Sequence, residues 1–219
     1  MKHLRAIQQQ VAADAVRRRA NKLARLYSGT SGRPHVALVV LLRGVNVGGH
    51  RTFRPSVLAG ELRHLDVVNV GTAGTFVIRQ PVSYPQLRVE FARRLPFETE
   101  ILICQGREIV GLTSREFFAS HPARPDIVRF VSVLARSPRT APSTPMDLPP
   151  TGRWVVRVLA RDRRFIVGLY RRQMQAIACL GTLDRVFGVT ATTRNWNTVA
   201  AITKMLDPAA TRRGSPRPR

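Results

Sequence analysis

Acidic residues and lysine are the scarce residues of this 219-residue chain. Only 13 residues are Asp or Glu against 36 Lys and Arg, which gives a formal net charge of +23 and a pI near 11.9. Lys2, Lys22 and Lys204 are the only lysines, so arginine carries nearly all of the positive charge. A GC-rich genome would explain arginine in place of lysine, but not the shortage of acids. An anionic ligand or a polyanion is therefore the expected class of partner.

Cysteine and long apolar runs are also scarce. Cys104 and Cys179 are the only cysteines and form no C-x-x-C pair, which excludes a disulfide framework and favours a reducing cytoplasm. The longest apolar run, Val36 to Leu42, has the length of a strand and not of a membrane span, and no secretory signal is recognisable. We therefore expect a cytoplasmic protein with no membrane partner. The hydrophobic fraction of 44% suffices for a core, so no cofactor is expected to hold the fold.

Charge and linker composition divide the chain into three parts. Residues 1–34 predict a basic helical arm, at about residues 3–27, followed by a flexible linker rich in Gly and Ser. This arm could touch nucleic acid or an acidic surface. Alternatively, it is a solvated arm, or the start codon is wrongly assigned upstream. Residues 35–207 predict one compact domain, and residues 208–219 predict a basic, disordered tail. The oligomeric state is not predicted.

The order of predicted elements in the first half of the domain is β-α-β-β-α-β, which is typical of ferredoxin-like folds. The predicted strands are His35–Leu42, Val67–Val70, Thr75–Arg79 and Glu100–Cys104, and the predicted helices are Pro55–Leu65 and Tyr84–Leu95. The second half loosely repeats this order. A helix at about Arg107–Ser120 leads into it, and its predicted elements are strands at Asp126–Leu134, Trp154–Ala160 and Phe165–Tyr170, and helices at Leu180–Phe187 and Asn195–Leu206. We therefore predict an α+β fold of two ferredoxin-like (split β-α-β) halves, at about 35–120 and 121–207, that form one compact unit.

A glycine-rich loop, Arg43 to Arg51, joins the first predicted strand to the first predicted helix. Main-chain N–H groups at such a position can hold an anion, and the loop adds two arginines and an asparagine. The candidate ligand-binding residues are Arg43, Gly44, Asn46, Gly48, Gly49, His50 and Arg51. The loop matches neither standard nucleotide motif. Alternatively, its glycines supply positive φ for a tight crossover, and Asn46 caps the turn.

A second polar segment, Thr193 to Thr198, lies near the carboxyl end. Thr193 is suited to cap the last predicted helix and would place Trp196 in its first turn. The side chains of Arg194, Asn195, Trp196 and Asn197 could stack on and hydrogen-bond a ring or a base. Alternatively, the tryptophan belongs to the core and its neighbours only cap the helix. We predict that this segment faces the glycine-rich loop, so that the two form one composite site.

The runs Leu41–His50 and Thr193–Thr198 together resemble the domain of unknown function 1697 (DUF1697) family of bacterial proteins. The resemblance spans roughly residues 35 to 206 and implies an α+β fold with ferredoxin-like halves. It implies no established activity and no cofactor. This chain departs from the family in one turn: it has Gly71-Thr72-Ala73-Gly74-Thr75 where members usually show Gln-Ser-Gly-Asn. Any ligand contact made by those amide groups is in doubt here.

Candidates for catalysis and metal binding are few. The histidines show no metal-ligand spacing, and only His50 is a candidate for acid–base work, so the catalytic residues are unknown and no metal is expected. Cys104 and Cys179 are expected to be small core residues. The densest charge lies on the predicted hairpin and its flanks, at Arg153, Arg157, Arg161, Arg163, Arg164, Arg171 and Arg172.

These patterns predict a protein that binds a phosphate-bearing ligand or nucleic acid through a basic surface and the glycine-rich loop. Two alternatives stay open at this level. The first is a small-molecule enzyme that uses the Arg43–Arg51 loop as an anion cradle. The second is a protein-interaction module with a basic arm.

Overall fold

A computed structural model describes residues 37–46 and 53–206 of the chain. The predicted arm at 1–34, the loop residues 47–52 and the predicted tail at 208–219 lie outside the described residues. Two antiparallel sheets and several helices form an α+β fold, as predicted. The limits of the arm, the domain and the tail stay predictions.

The first sheet has the strand order β2-β3-β1-β4, with every neighbouring pair antiparallel. Its strands are β1 (Leu38–Leu42), β2 (Val67–Asn69), β3 (Thr75–Ile78) and β4 (Ile101–Gln105). All five residues of β1 are apolar and buried, because this central strand is covered on both faces. The order is that of a split βαβ unit, which confirms the predicted topology of the first half.

The second sheet has the order β6-β7-β8-β5-β9 and is also antiparallel. Its strands are β5 (Ile127–Leu134), β6 (Met146–Leu148), β7 (Val156–Asp162), β8 (Phe165–Arg171) and β9 (Ala191–Asn195). Without the short edge strand β6, the order β7-β8-β5-β9 repeats the order of the first sheet. No helix lies between β5 and β7; a proline-rich segment and β6 occupy this connection instead.

The helices cover the sheets in a layered arrangement. In the first half they are α1 (Pro55–Glu61), a 3-10 turn (Arg63–Leu65), α2 (Tyr84–Arg94) and α3 (Gly106–Thr113). In the second half they are α4 (Gln175–Gly181), α5 (Leu183–Phe187) and α6 (Trp196–Met205). Helices α1 and α2 pack on the outer face of the first sheet, and α4 and α5 on the outer face of the second. Helices α3 and α6 each follow the last strand of a half and pack against one another.

A shared core joins the two halves. Apolar side chains from the inner faces of both sheets and from α3 and α6 form one buried cluster. The cluster includes Val39 and Cys104 from the first sheet, Val131 and Val167 from the second, and Ile202 from α6. Each half therefore buries its inner face against the other half.

Several boundaries differ from the predictions. Helix α3 ends at Thr113 rather than near Ser120, because the hydroxyls of Thr113 and Ser114 donate back to helix carbonyls and end the turn. The stretch between the last two predicted helices is the full strand β9, and Thr193 lies inside it. Asn195 is the cap of α6 instead, with its side-chain oxygen accepting from the N–H of Asn197. Helix α4 was not predicted, since its sequence is short and rich in small residues.

Strand β4 lies at an edge of the first sheet, with the carbonyls of Ile101 and Ile103 pointing away from β1. A guanidinium group covers each of them: Arg88 donates to Ile101, and Arg164 of the other half donates to Ile103 at 3.1 Å. The acceptors at this edge are therefore hydrogen-bonded although no further strand pairs with β4.

Candidate anion-binding site

Arg43 follows the end of β1, at the base of the glycine-rich loop, and its side chain reaches the second half. Its guanidinium forms an ion pair with Asp184 of α5 and donates from Nε to the carbonyl of Ala191 at 3.2 Å. Asp184 in turn accepts from the N–H of Ala191 at 2.9 Å, so the pair satisfies both outward backbone groups at the start of β9. The side chain of Arg43 remains 41% exposed. Arg43 is therefore anchored at the loop base while part of its guanidinium faces solvent.

Asn46 closes the loop with its side-chain amide. Its Oδ1 accepts from the N–H of Phe53 at 3.0 Å, and its Nδ2 donates to the carbonyl of Phe53 at 3.2 Å and to that of Thr72 at 2.7 Å. Its φ of 54° is in the left-handed region, which asparagine tolerates better than most residues. These bonds are those expected of an asparagine that caps a turn, since both atoms of the side-chain amide are hydrogen-bonded to backbone groups.

The turn between β2 and β3 packs against this loop and requires glycine at its inner position. Gly74 has a φ of 67°, and a Cβ there would lie 2.5 Å from a methyl group of Val45. The turn that departs from the DUF1697 pattern therefore lies directly beside the loop. Gly44 is exposed and has a φ of 60°, so the backbone at the loop base is accessible from solvent.

Arg194 projects from β9 into the space between the two sheets and is 6% exposed. It donates to the carbonyls of Leu42, Gly74 and Thr193 and to the hydroxyls of Thr75 and Thr192, at 2.7–3.3 Å. None of these partners is a carboxylate, so its positive charge is solvated by dipoles alone. Burial lowers the pKa of Arg194 to about 10, which leaves the group charged at neutral pH. Arg194 is therefore a buried cation without a carboxylate partner, and it contacts Leu42, the residue before Arg43.

The rest of the second segment lies further from Arg43. Arg43 contacts the first residue of β9, whereas Asn195 ends that strand about 13 Å further along. Trp196 is half-buried and packs edge to face on Phe118, with ring centroids 4.9 Å apart, and on Phe117. Asn195 and Asn197 are exposed at the start of α6. Within the second segment, Arg194 therefore lies beside Leu42, the residue before Arg43, whereas Asn195, Trp196 and Asn197 lie further from Arg43. The composite site stays a prediction, because loop residues 47–52 lie outside the described residues.

A row of exposed arginines lies at the same end of the molecule as the loop base. Arg136 follows β5, Arg161 is near the end of β7, and Arg163 lies in the turn to β8. We call these three residues the arginine rim. None of their guanidiniums has a carboxylate partner among the described residues. The nearby Asp162 is paired with Arg115 at 3.2 Å, so it does not neutralise the rim.

The rim connects to the loop base through backbone contacts. Arg164 follows the rim residue Arg163, and its side chain donates to the carbonyls of Leu134 and of Ile103 in β4. The N–H of Leu134 is bonded to the carbonyl of Arg164, and the N–H of Ala135 to that of Thr190. Thr190 directly precedes Ala191, the residue that Arg43 contacts. The loop base, the start of β9 and the rim therefore form one continuous face.

Other arginines of the predicted hairpin are engaged within the second half. Arg157 makes two hydrogen bonds of 2.6 Å to Asp147, and its guanidinium lies 4.8 Å from the ring centroid of Trp154. Arg171 lies 4.3 Å from the same centroid and donates to the carbonyl of Trp154. The Arg157 guanidinium holds the pKa of the Asp147 carboxyl below its usual range. These arginines stabilise the sheet, so the density of arginine in the sequence overstates the free charge of the hairpin.

Sequence reasoning missed Asp184, the partner of Arg43, because the two residues are 141 positions apart. It also missed Arg136 as a neighbour of the hairpin. The signal for this neighbour is the pairing of β5 with β8, which brings residues after 134 beside the turn at 163–164. His50, Gly48, Gly49 and Arg51 lie outside the described residues.

Other candidates for chemistry are limited. Cys104 is buried, and burial raises the pKa of its thiol to about 12, as expected for a core cysteine. Within residues 37–46 and 53–206, no group of three or more His, Cys, Asp and Glu side chains is arranged to hold a metal ion. In the same part of the chain, no helix is both long enough and apolar enough to cross a membrane.

Comparison with known proteins shows a likeness in structure but not in sequence family. No family model and no curated protein matches the chain. Among solved structures, the chain is similar to the conserved bacterial protein SP0830 from Streptococcus pneumoniae, with a TM-score of 0.50 and 16% sequence identity. The match covers 78% of this chain and 98% of that one. At this identity the likeness shows the α+β fold alone, and the chain shares that fold with a conserved bacterial protein.

Proposed function

We propose that this protein binds a phosphate-bearing ligand, with nucleic acid the first candidate, on the face formed by the loop base, the start of β9 and the arginine rim. The observation that carries the proposal is the balance of charge on this face. Arg194 contributes a buried cation without a carboxylate partner, and the rim contributes exposed ones. Two carboxylates lie on the same face: Asp184 is paired with Arg43, and Glu100 accepts from the hydroxyl of Thr190 at 3.4 Å. They are fewer than the arginines of this face, so its balance stays positive.

A buried guanidinium raises the local positive potential more than an exposed one, because the protein interior screens charge weakly. An anion bound near the loop base would interact favourably with Arg194 without touching it. The solvent-facing part of Arg43 and the accessible backbone at Gly44 offer the direct contacts. Asn46 positions the loop in this proposal. Gly48, Gly49, His50 and Arg51 keep their predicted role as ligand contacts.

We also propose that the chain is a member of the DUF1697 family. The proposal is supported by the two sequence runs together with a ferredoxin-like strand order in the first half. Within that family, the amides that this chain lacks would stand in the turn that packs on the loop, next to the carbonyl of Thr72. A ligand of this chain would then depend more on arginine and backbone contacts than a ligand of a typical member.

Fluorescence anisotropy with labelled duplex and single-stranded DNA and RNA, at 50 and 200 mM salt, tests the proposal together with thermal-shift measurements. Binding that weakens steeply with salt is expected for phosphate contacts. The thermal-shift series uses ATP, GTP, inorganic phosphate and pyrophosphate. No binding to any nucleic acid at 50 mM salt and no shift with any of these phosphates would overturn the proposal.

A further inference from the structure

The arginine rim has the composition of a surface that contacts phosphates and not bases. Arg136, Arg161 and Arg163 come from three neighbouring stretches of chain at one end of the second sheet. Neighbouring strands are about 4.8 Å apart, so the three residues cross the sheet end over roughly 10 Å. Arginine matches phosphate geometry with its planar fork of donors, and a row of three favours a repeating anion over a single one.

No exposed aromatic side chain lies in the two stretches that carry these arginines, residues 134–137 and 161–166. Phe165 is the aromatic residue nearest to the rim in sequence, and it is 2% exposed, on the inner face of the sheet. Proteins that bind single strands combine a basic groove with exposed aromatic side chains on which bases stack. The rim lacks that second component within residues 134–137 and 161–166, so its chemistry favours the backbone of a duplex.

We infer that the arginine rim is a contact surface for the phosphate backbone of duplex nucleic acid, without sequence readout. This inference rests on the proposed function and assigns its ligand class and its contact residues. Each guanidinium neutralises one phosphate. The affinity for duplex DNA then falls as salt rises. In a plot of log K against log salt, each contact contributes roughly −0.9 to the slope, so the rim contributes about −2.7.

The test compares two triple variants of equal charge change. The rim variant is Arg136→Gln, Arg161→Gln and Arg163→Gly, where glycine suits the positive φ of 54° at position 163. The control variant is Arg63→Gln, Arg93→Gln and Arg153→Gln. These three residues are exposed, and their side chains make no ion pair within the described residues. Arg63 and Arg93 lie in the layer outside the first sheet, and Arg153 precedes β7 at the other end of the second sheet.

The expected result, measured with random-sequence duplex DNA between 50 and 200 mM salt, is a slope about 2–3 smaller in magnitude for the rim variant. Its affinity at 50 mM salt should fall by roughly tenfold or more, while the control keeps the slope of the unmodified protein. Melting temperatures of both variants identify any loss of folding. If the rim variant unfolds, the single variant Arg163→Gly replaces it in the test, with an expected slope change of about 0.9.

The outcomes separate this inference from the proposed function. Equal slope changes in the rim and control variants would overturn the rim as a contact surface but leave phosphate binding in place. Tighter binding of single strands than of duplex would overturn the ligand class assigned here. Thermal shifts with nucleotides in the absence of any nucleic-acid binding would overturn the inference and retain the proposed function.

Discussion

The seam between the two halves and the arginine rim beside it are both built from arginine, but the guanidinium groups have different surroundings. By the seam we mean the contacts that Arg43, Arg164 and Arg194 make with the opposite half. There, each guanidinium covers backbone carbonyls, and Arg194 is buried. On the rim, Arg161 and Arg163 are exposed and have no carboxylate partner among the described residues, and Arg161 donates to the carbonyl of Arg163 within the rim itself. Net charge alone therefore does not measure the charge that is available to a ligand.

Replacing Arg194 tests the structural side of this comparison and should have the largest effect on stability. Arg194→Leu leaves the carbonyls of Leu42 and Gly74 and the hydroxyl of Thr75 without their buried donor. We expect the free energy of unfolding to fall by about 3–5 kcal/mol in urea denaturation at pH 7. Arg194→Lys keeps the charge but not the fork of donors, so it should recover only part of the loss. A loss below about 1 kcal/mol for Arg194→Leu would contradict the role of anchor.

Replacing Trp196 tests whether the second polar segment belongs to the scaffold. Trp196→Ala removes a half-buried ring that packs on Phe117 and Phe118, and we expect it to lower the free energy of unfolding by about 3 kcal/mol. Binding of phosphate-bearing ligands by the folded variant should be unchanged, since the ring of Trp196 packs on Phe117 and Phe118 and not on Arg43 or the rim. A variant that keeps full stability in denaturation but loses its ligand would show that the ring is a stacking surface.

Arg43 stands between the two classes, because it is paired and yet 41% exposed. An arginine in a loop is normally solvated, and its removal costs little stability. The ion pair with Asp184 raises the loss of stability that we expect here. Arg43→Ala should lower the free energy of unfolding by about 1 kcal/mol, since Asp184 loses its partner and Ala191 a donor. Ligand affinity should fall more than stability.

The double variant Arg43→Ala, Asp184→Asn gives the control for this position. It removes the unpaired carboxylate, so part of the lost stability should return, whereas the ligand affinity should not. Restored affinity in the double variant would mean that Arg43 acts only by neutralising Asp184, and the direct contact would be wrong.

The ion pair between Arg157 and Asp147 should show the smallest effect, and one that depends on pH. The hydrogen bonds from Arg157 hold the folded-state pKa of Asp147 below the unfolded value of about 3.9. Its stabilisation is therefore present above about pH 4 and lost as pH falls through the lower folded pKa. Both side chains are about one third exposed, so Asp147→Asn should lower the free energy of unfolding at pH 7 by under about 1 kcal/mol. Urea denaturation at pH 7 and pH 2.5 should show the difference from the unmodified protein shrinking; an equal difference at both values would contradict the assignment.

Local pattern predicted the fold better than the site. The apolar run that forms β1 and the turns around β2 and β3 carried enough information for the first sheet. The start of α6 shows where such information ends. Thr193 and Asn195 are both suitable caps. Pairing with β5 decides between them: Thr193, Arg194 and Asn195 all pair with that strand, and the hydroxyls of Thr193 and Ser132 lie 2.6 Å apart, so β9 extends to Asn195.

The contacts at the site are of longer range still. Arg194 and Leu42 are 152 positions apart, and no periodicity in either segment indicates that a guanidinium of one meets a carbonyl of the other. Arginine in a polar segment is compatible with a ligand contact and with a buried anchor. The choice depends on whether the second sheet packs over the first, which is a property of the whole fold.

The covered edge of β4 has a consequence for behaviour in concentrated solution. An exposed strand edge is a template on which another chain can add a strand and begin aggregation. The outward acceptors at Ile101 and Ile103 are already hydrogen-bonded to Arg88 and Arg164, so an incoming strand must first displace two guanidiniums. These charges also repel a second copy of so basic a protein. Arginine at this edge therefore acts against self-association.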